Sequence, residues 1–166
     1  MTTHPEKIDT IIVDYHNPVH AQHLIDLLDH YARDPMGGGQ PLREAVKSTL
    51  VEELAKRNFA FSLLCYMDEK PVALTNFFEG FSTFAAKPLI NIHDIVVHRG
   101  YRGRGLSQAL LTKVEQIARH RGCCKVTLEV LSGNTVARGA YEKFGFELYQ
   151  LDPATGQAQF WQKFLT

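Results

Sequence analysis

The chain has 166 residues, 45% of them hydrophobic and 22% charged, with 18 lysines and arginines against 18 aspartates and glutamates. That length and balance suit one globular domain, residues 1–166, able to bury a core without disulfide or metal staples. A formal net charge of zero argues against a dedicated nucleic-acid or membrane-surface binder, and no apolar run is long enough to span a bilayer.

The first residues lack a basic stretch followed by an apolar one, so no signal peptide is expected. Three cysteines, Cys65 and the neighbours Cys123 and Cys124, do not make a disulfide framework. They read as small apolar strand residues of a soluble protein in the reducing cytoplasm.

Asp9–Tyr15, with Ile11, Ile12 and Val13, reads as a strand. Pro18 opens a helix whose Ala21, Leu24, Leu27, Leu28 and Tyr31 share a face, and Asp34-Pro35 ends it. His16, His20, His23 and His30 lie along this stretch. Without a carboxylate or cysteine pattern they read as surface residues, and no metal site is expected. Gly37-Gly38-Gly39 is a flexible connector, either a plain loop or a mobile rim over a substrate site. Pro41 is expected in the first turn of a second helix, with Leu42, Val46, Thr49, Leu50 and Leu54 on its apolar face.

From Phe59 the texture changes. Phe59–Met67 and Pro71–Phe78 read as antiparallel strands around a tight turn at Asp68–Lys70. Phe77, Phe78, Phe81 and Phe84 suit sheet packing or the apolar wall of a pocket. In the next strand, Leu89–His98, Ile90 and Ile92 alternate with Asn91 and His93. Asp94 then breaks the pattern before Ile95-Val96-Val97, which marks a bulge that re-aims its neighbours. A carboxylate inside such a strand asks for a reason.

Leu106–Arg121 is the clearest helix, with Leu106, Leu110, Val114, Ile117 and Ala118 on one face and Gly122 after its end. Lys125–Leu131 alternates as a strand. Asn134 caps a short helix carrying Ala137, Ala140, Tyr141 and Phe144, and Gly145 ends it. Phe146–Leu151 and Gln159–Phe164 read as a hairpin. The order predicts a mixed α/β (α+β) domain: a mostly antiparallel central sheet flanked by helices. It contains a right-handed parallel strand–helix–strand unit from Leu89 to Leu131.

The turn His98-Arg99-Gly100-Tyr101-Arg102-Gly103-Arg104-Gly105-Leu106-Ser107 joins an apolar strand to an amphipathic helix. Glycines let the backbone approach a ligand, and the helix N-terminus offers unpaired N–H groups and partial positive charge. With Arg99, Arg102 and Arg104 nearby, this reads as an anion site suited to phosphates, the alternative being a glycine-rich turn with no ligand. Gly100, Gly105 and Ser107 keep the P-loop spacing, but Leu106 stands where that loop needs lysine. Gln108 stands where a dinucleotide fingerprint needs glycine.

At these residues the chain resembles the GNAT superfamily of acyl-CoA N-acyltransferases. Arg102-Gly103-Arg104-Gly105-Leu106-Ser107 is similar to that family's Gln/Arg-x-x-Gly-x-Gly/Ala signature, with serine in the last place. Asn134, Ala137, Tyr141 and Gly145-Phe146 complete its second block in the expected order. The resemblance implies acetyl-CoA as acyl donor, with the pantetheine arm on the backbone of Ile95 and Val97 and the pyrophosphate on N–H groups of Gly103, Arg104, Gly105, Leu106 and Ser107. It also implies Asn134 at the cofactor arm, Tyr141 near the thioester sulfur, and a possible homodimer. A narrower similarity, carried by Phe77-Phe78, Phe81–Phe84 and Ile92-His93-Asp94, points to the diamine and thialysine acetyltransferases. Those have glutamate where this chain has His93, a departure that argues against a polycationic acceptor.

A lysine-type amine has a pKa of about 10.4, so it must lose a proton before attacking a thioester, and the leaving thiolate then takes one up. Tyr141 is the candidate acid. Candidates for the base are Asp94, His93, Glu129 and Glu79, with Asp94 first. The expected function is acetyl transfer to a primary amine: a small amine, diamine, amino acid or similar. The alternatives are acetylation of protein N-termini or lysines, or an acyl-CoA sensor without turnover. No nucleic-acid or membrane partner is expected.

Overall fold

A single five-stranded sheet organises the first part of the chain, in a computed structural model that describes residues 7–165. The strands are β1 (Ile8–Ile12), β2 (Ala60–Met67), β3 (Lys70–Ser82), β4 (Lys87–Val97) and β5 (Val126–Leu128), side by side in chain order. β1 to β4 pair antiparallel, and β4 pairs with β5 in parallel. The intervening helices are α1 (Pro18–Ala32), α2 (Glu44–Ala55) and α3 (Leu106–His120), and α4 (Thr135–Phe144) follows the sheet. The expected mixed architecture is therefore present.

Local chemistry accounts for the boundaries. The Asn17 side chain accepts the N–H groups of Val19 and His20, and Pro18 fills the first helical position of α1. Asp68 and Glu69 both take positive φ, 48° and 67°, in the two-residue turn between the paired Met67 and Lys70. This is the turn whose twist matches a right-handed hairpin. α2 begins later than its pattern predicts. Residues 40–43 are tied back to α1, with the Leu42 N–H on Asp29 Oδ1 at 2.8 Å, so Pro41 and Leu42 stay outside the helix.

Two faces of the sheet are covered. One carries Leu64, Leu74 and Val96 against Leu24, Ile25 and Leu27 of α1 and Leu54 of α2. α3 packs on the sheet through its buried Leu106, Leu110, Leu111, Val114 and Ala118. Cys65 is buried in β2 as expected, whereas Cys123 and Cys124 precede β5 and Cys124 is exposed.

The chain divides into two compact units, the first running to Leu128 and the second starting at Glu129. In the second, Asn134 Oδ1 caps α4 by accepting the Ala137 N–H at 3.2 Å. Gly145 closes it, its N–H and that of Phe146 both reaching the Tyr141 carbonyl. The hairpin expected over 146–164 is reduced to one bridge, Gln150 with Gln157, beside a single turn at Pro153–Thr155. Two strands alone are marginal, and here Leu148, Phe160, Trp161 and Phe164 stay exposed.

Candidate active site

The expected irregularity in β4 falls at His93. Asn76 pairs with Asp94 and Phe77 with Ile92, which leaves His93 without an opposite residue. Because opposite residues share a face, Ile92 lies on the Phe77 side of the sheet while Asp94 and Val96 lie on the side of Asn76 and Leu74. Simple alternation would have kept Ile92 and Asp94 on one face. The bulge moves the carboxylate to the α1 side, where its Oδ2 accepts from Asn76 Nδ2 at 3.0 Å. Among the described residues the other oxygen, Oδ1, has no hydrogen-bond partner. His93 is exposed, its ring edge-on to Phe78 with centroids 5.5 Å apart.

The same place ends the parallel ladder. β5 pairs with β4 only as far as Ile92, so the strand expected to Leu131 stops at Leu128. Beyond Ile92 no strand among the described residues covers that edge of β4. The His98 N–H points to β3, where it meets the Val72 carbonyl at 2.8 Å. Peptide groups alternate along a strand, so those of Ile95 and Val97 point to the edge away from β3. An extended ligand with amide groups can add there as a strand does.

The glycine-rich turn continues from this edge. Gly103 and Gly105 adopt φ of 79° and 78°, a region that disfavours other residues, and an added Cβ at either would meet nothing within 4 Å. Gly105 is the N-cap of α3 and supplies no side-chain cap, unlike Asn17 and Asn134 on their helices. The first-turn N–H groups of α3, at Leu106 and Ser107, therefore border open space suited to a phosphate.

The arginines are partly engaged. Arg102 forms an ion pair with Asp34 at 3.1 Å and its Nε donates to the Val97 carbonyl at 3.4 Å. The Asp34 carboxyl is held below its usual pKa by the Met36 N–H and then by Arg102. Arg104 lies over the Tyr101 ring at 5.3 Å, beside a pocket lined by Met67, Asp68, Lys70 and Gly100.

Other candidates separate. Glu79 lies on the Phe77 side of the sheet, the face opposite to that of Asp94, and forms an ion pair with Arg121. Glu129, Asn134 and Tyr141 belong to the second unit, where Tyr141 is 7% exposed and its ring meets Phe146 edge-on. The histidines are not simple surface residues. His20 accepts the Asp14 N–H, His23 bonds the Tyr66 hydroxyl and His30 accepts the Arg99 N–H, all three half-buried. Sequence reasoning missed Asn76, Ser62, Tyr15 and Asp34, which make their contacts across long sequence separations.

The acetyltransferase (GNAT) family pattern matches residues 21–146, more than half of the chain, and the chain belongs to that family. It is an acyl-CoA N-acyltransferase with acetyl-CoA as donor. Solved structures share the fold at low identity. A ribosomal-protein-alanine N-acetyltransferase from Brucella melitensis biovar Abortus 2308 is 19% identical, with TM-score 0.67, over 96% of this chain and 98% of that one. The aminoglycoside N-acetyltransferase AAC(6')-Iy in complex with CoA is 17% identical, with TM-score 0.75, over 98% and 99%. A structure of AAC(6')-Iy with the bisubstrate analogue CoA-S-monomethyl-acetylneamine gives 18% identity and TM-score 0.73 over 96% and 99%.

Proposed function

We propose that this acetyltransferase passes acetyl from acetyl-CoA to the nitrogen of a small primary amine by direct attack in a ternary complex. The observation that carries this reading is the Asp94 carboxylate, moved by the His93 bulge to the α1 face and next in the chain to the Ile95–Val97 edge, along which no strand among the described residues pairs. In the proposal, peptide groups of Ile95 and Val97 hold the pantetheine arm. N–H groups from Gly103 to Ser107 hold the pyrophosphate, with Arg102 and Arg104 adding positive charge, and Asn134 binds the cofactor arm.

The protonated amine loses its proton to Asp94, directly or through one water. The nitrogen lone pair then attacks the thioester carbon. The C–N bond forms and leaves the nitrogen cationic, the C–S bond breaks, and the departing sulfur takes a proton from Tyr141. The second proton of the nitrogen restores the Tyr141 phenol, directly or through solvent. His93 is the alternative base. The family match crosses the division at Leu128, which supports a single domain over residues 1–166. A homodimer and a cytoplasmic setting belong to the same proposal. Three free cysteines support the setting, and light scattering tests the dimer.

The test is release of CoA thiol from acetyl-CoA across aminoglycosides, amino acids, diamines and peptides with free N-termini. The aminoglycoside and protein-alanine enzymes that share the fold make those two acceptor classes the first to try. Release that depends on one amine class establishes the acceptor. Acetyl-CoA binding with no release from any acceptor favours a sensor.

A further inference from the structure

Asp94 stands at the end of a polar row that crosses the sheet. Ser62 on β2 lies opposite Asn76 on β3, and Asn76 lies opposite Asp94 on β4. Ser62 Oγ donates to Asn76 Oδ1 at 2.6 Å, and Asn76 Nδ2 donates to Asp94 Oδ2 at 3.0 Å. Beyond Ser62 the row continues to the Tyr15 hydroxyl, 2.8 Å from Ser62 Oγ.

The direction of every bond is fixed. An ionised carboxylate only accepts, so Asn76 must present its NH2 to Asp94 and its oxygen to Ser62. Ser62 then spends its one hydrogen on Asn76, and Tyr15 must be the donor to Ser62. Burial pushes the Tyr15 phenol above its usual pKa, in keeping with a neutral donor. A second tether holds the backbone just past the bulge, where the Thr75 hydroxyl donates to the Asp94 carbonyl at 2.8 Å.

Stability alone does not call for this row. Ser62 and Asn76 are 1% and 3% exposed, on the face where Ala60, Leu64, Leu74 and Val96 form an apolar cluster. Buried polar groups cost free energy unless each is satisfied, and apolar side chains of similar size fill such positions at no such cost. The groups are satisfied, and the row ends on the one carboxylate of β4.

We propose that Asn76, Ser62 and Tyr15 are positioning residues that lock the Asp94 carboxylate in one orientation, with Oδ2 committed to the row and Oδ1 left for the acceptor amine. This rests on Asp94 being the base. An amide does not pass a proton on, so the row orients the carboxylate and does not relay from it. The proton taken from the amine leaves by the Oδ1 side.

The test compares Ser62→Ala, Ser62→Thr and Tyr15→Phe, each alone and with Asp94→Asn, by kcat, acetyl-CoA KM and Tm. Ser62→Ala is expected to lower kcat about tenfold with acetyl-CoA KM unchanged, Tyr15→Phe to lower it less, and Ser62→Thr to restore it. In the Asp94→Asn background Ser62→Ala should lower kcat no further. A loss of Tm with kcat unchanged, or an equal kcat loss in both backgrounds, overturns the proposal. If Asp94→Asn keeps wild-type kcat, the base reading itself falls. If Asp94→Asn collapses and Ser62→Ala does not, the row alone falls.

Discussion

His30 of α1 and His98 at the start of the glycine-rich turn stack with ring centroids 4.3 Å apart and planes 22° from parallel. Each also accepts a backbone N–H of the turn: His30 Nε2 from Arg99 and His98 Nδ1 from Gly100, both at 3.2 Å. An accepting ring nitrogen carries no proton, so the contact between α1 and the turn needs a neutral His30. With the Asp34–Arg102 ion pair, this is a second tie between the end of α1 and the turn proposed to hold the cofactor.

That geometry predicts acid sensitivity. Burial holds the His30 pKa below its ordinary value, as do the charges of His98, Arg99 and Arg102, against an upward pull from Asp34. A group with a depressed folded pKa binds more protons unfolded, so stability rises with pH across the gap. The contribution is complete above about pH 6.5 and is lost as pH falls through the lower folded value. Wild-type Tm should therefore fall more between neutral and mildly acidic pH than that of His30→Gln, in which residue 30 no longer titrates. Parallel curves would remove His30 from the effect.

Tyr141→Phe separates chemistry from packing. Phenylalanine keeps the edge contact with Phe146 and adds no volume to a 7% exposed site. If Tyr141 donates the proton to the leaving sulfur, kcat falls about 10²-fold with little change in acetyl-CoA KM. An unchanged kcat would take Tyr141 out of the acid role.

Asp94 and His93 are told apart by substitution. In Asp94→Asn the new amide oxygen can still accept from Asn76, so the row and the fold survive while the basic group is lost. We expect kcat to fall about 10²-fold or more. His93→Ala removes an exposed ring and its edge contact with Phe78, and its effect on kcat should be at least about tenfold smaller. The reverse order would make His93 the base.

What the sequence disclosed follows the range of the interactions. α3 and α4 were legible because their apolar spacing and terminal residues act within a few positions. The β4 bulge was legible because Asp94 broke an alternation inside one strand. The α2 start was not, since the Leu42 N–H is claimed by Asp29, 13 residues away. Nor was the polar row. Ser62 and Asn76 look like ordinary polar residues until the register of three strands aligns them with Asp94, Tyr15 joins them only through its hydroxyl, and no local pattern encodes register between β2, β3 and β4. The glycine turn lay between, since its spacing was plain while the Asp34–Arg102 pair spans 68 residues.

Gly105 gives a graded test of the phosphate site. Its φ of 78° disfavours any side chain, yet an added Cβ meets no atom within 4 Å. Gly105→Ala therefore carries backbone strain of about 1–2 kcal/mol and no clash. Its Tm should drop by roughly 2–4 °C for each kcal/mol in a protein of this size. Gly105→Glu carries the same strain and adds a carboxylate at the N-terminus of α3, where the pyrophosphate is proposed to sit. Repulsion between like charges should weaken acetyl-CoA about 10²-fold or more beyond Gly105→Ala, by calorimetry at matched Tm. Because the helix dipole itself favours an acid at this end, the glutamate adds no stability cost beyond the strain it shares with Gly105→Ala. A specific loss of acetyl-CoA with stability retained would locate the phosphates at this turn, and equal affinity of the two variants would move them elsewhere.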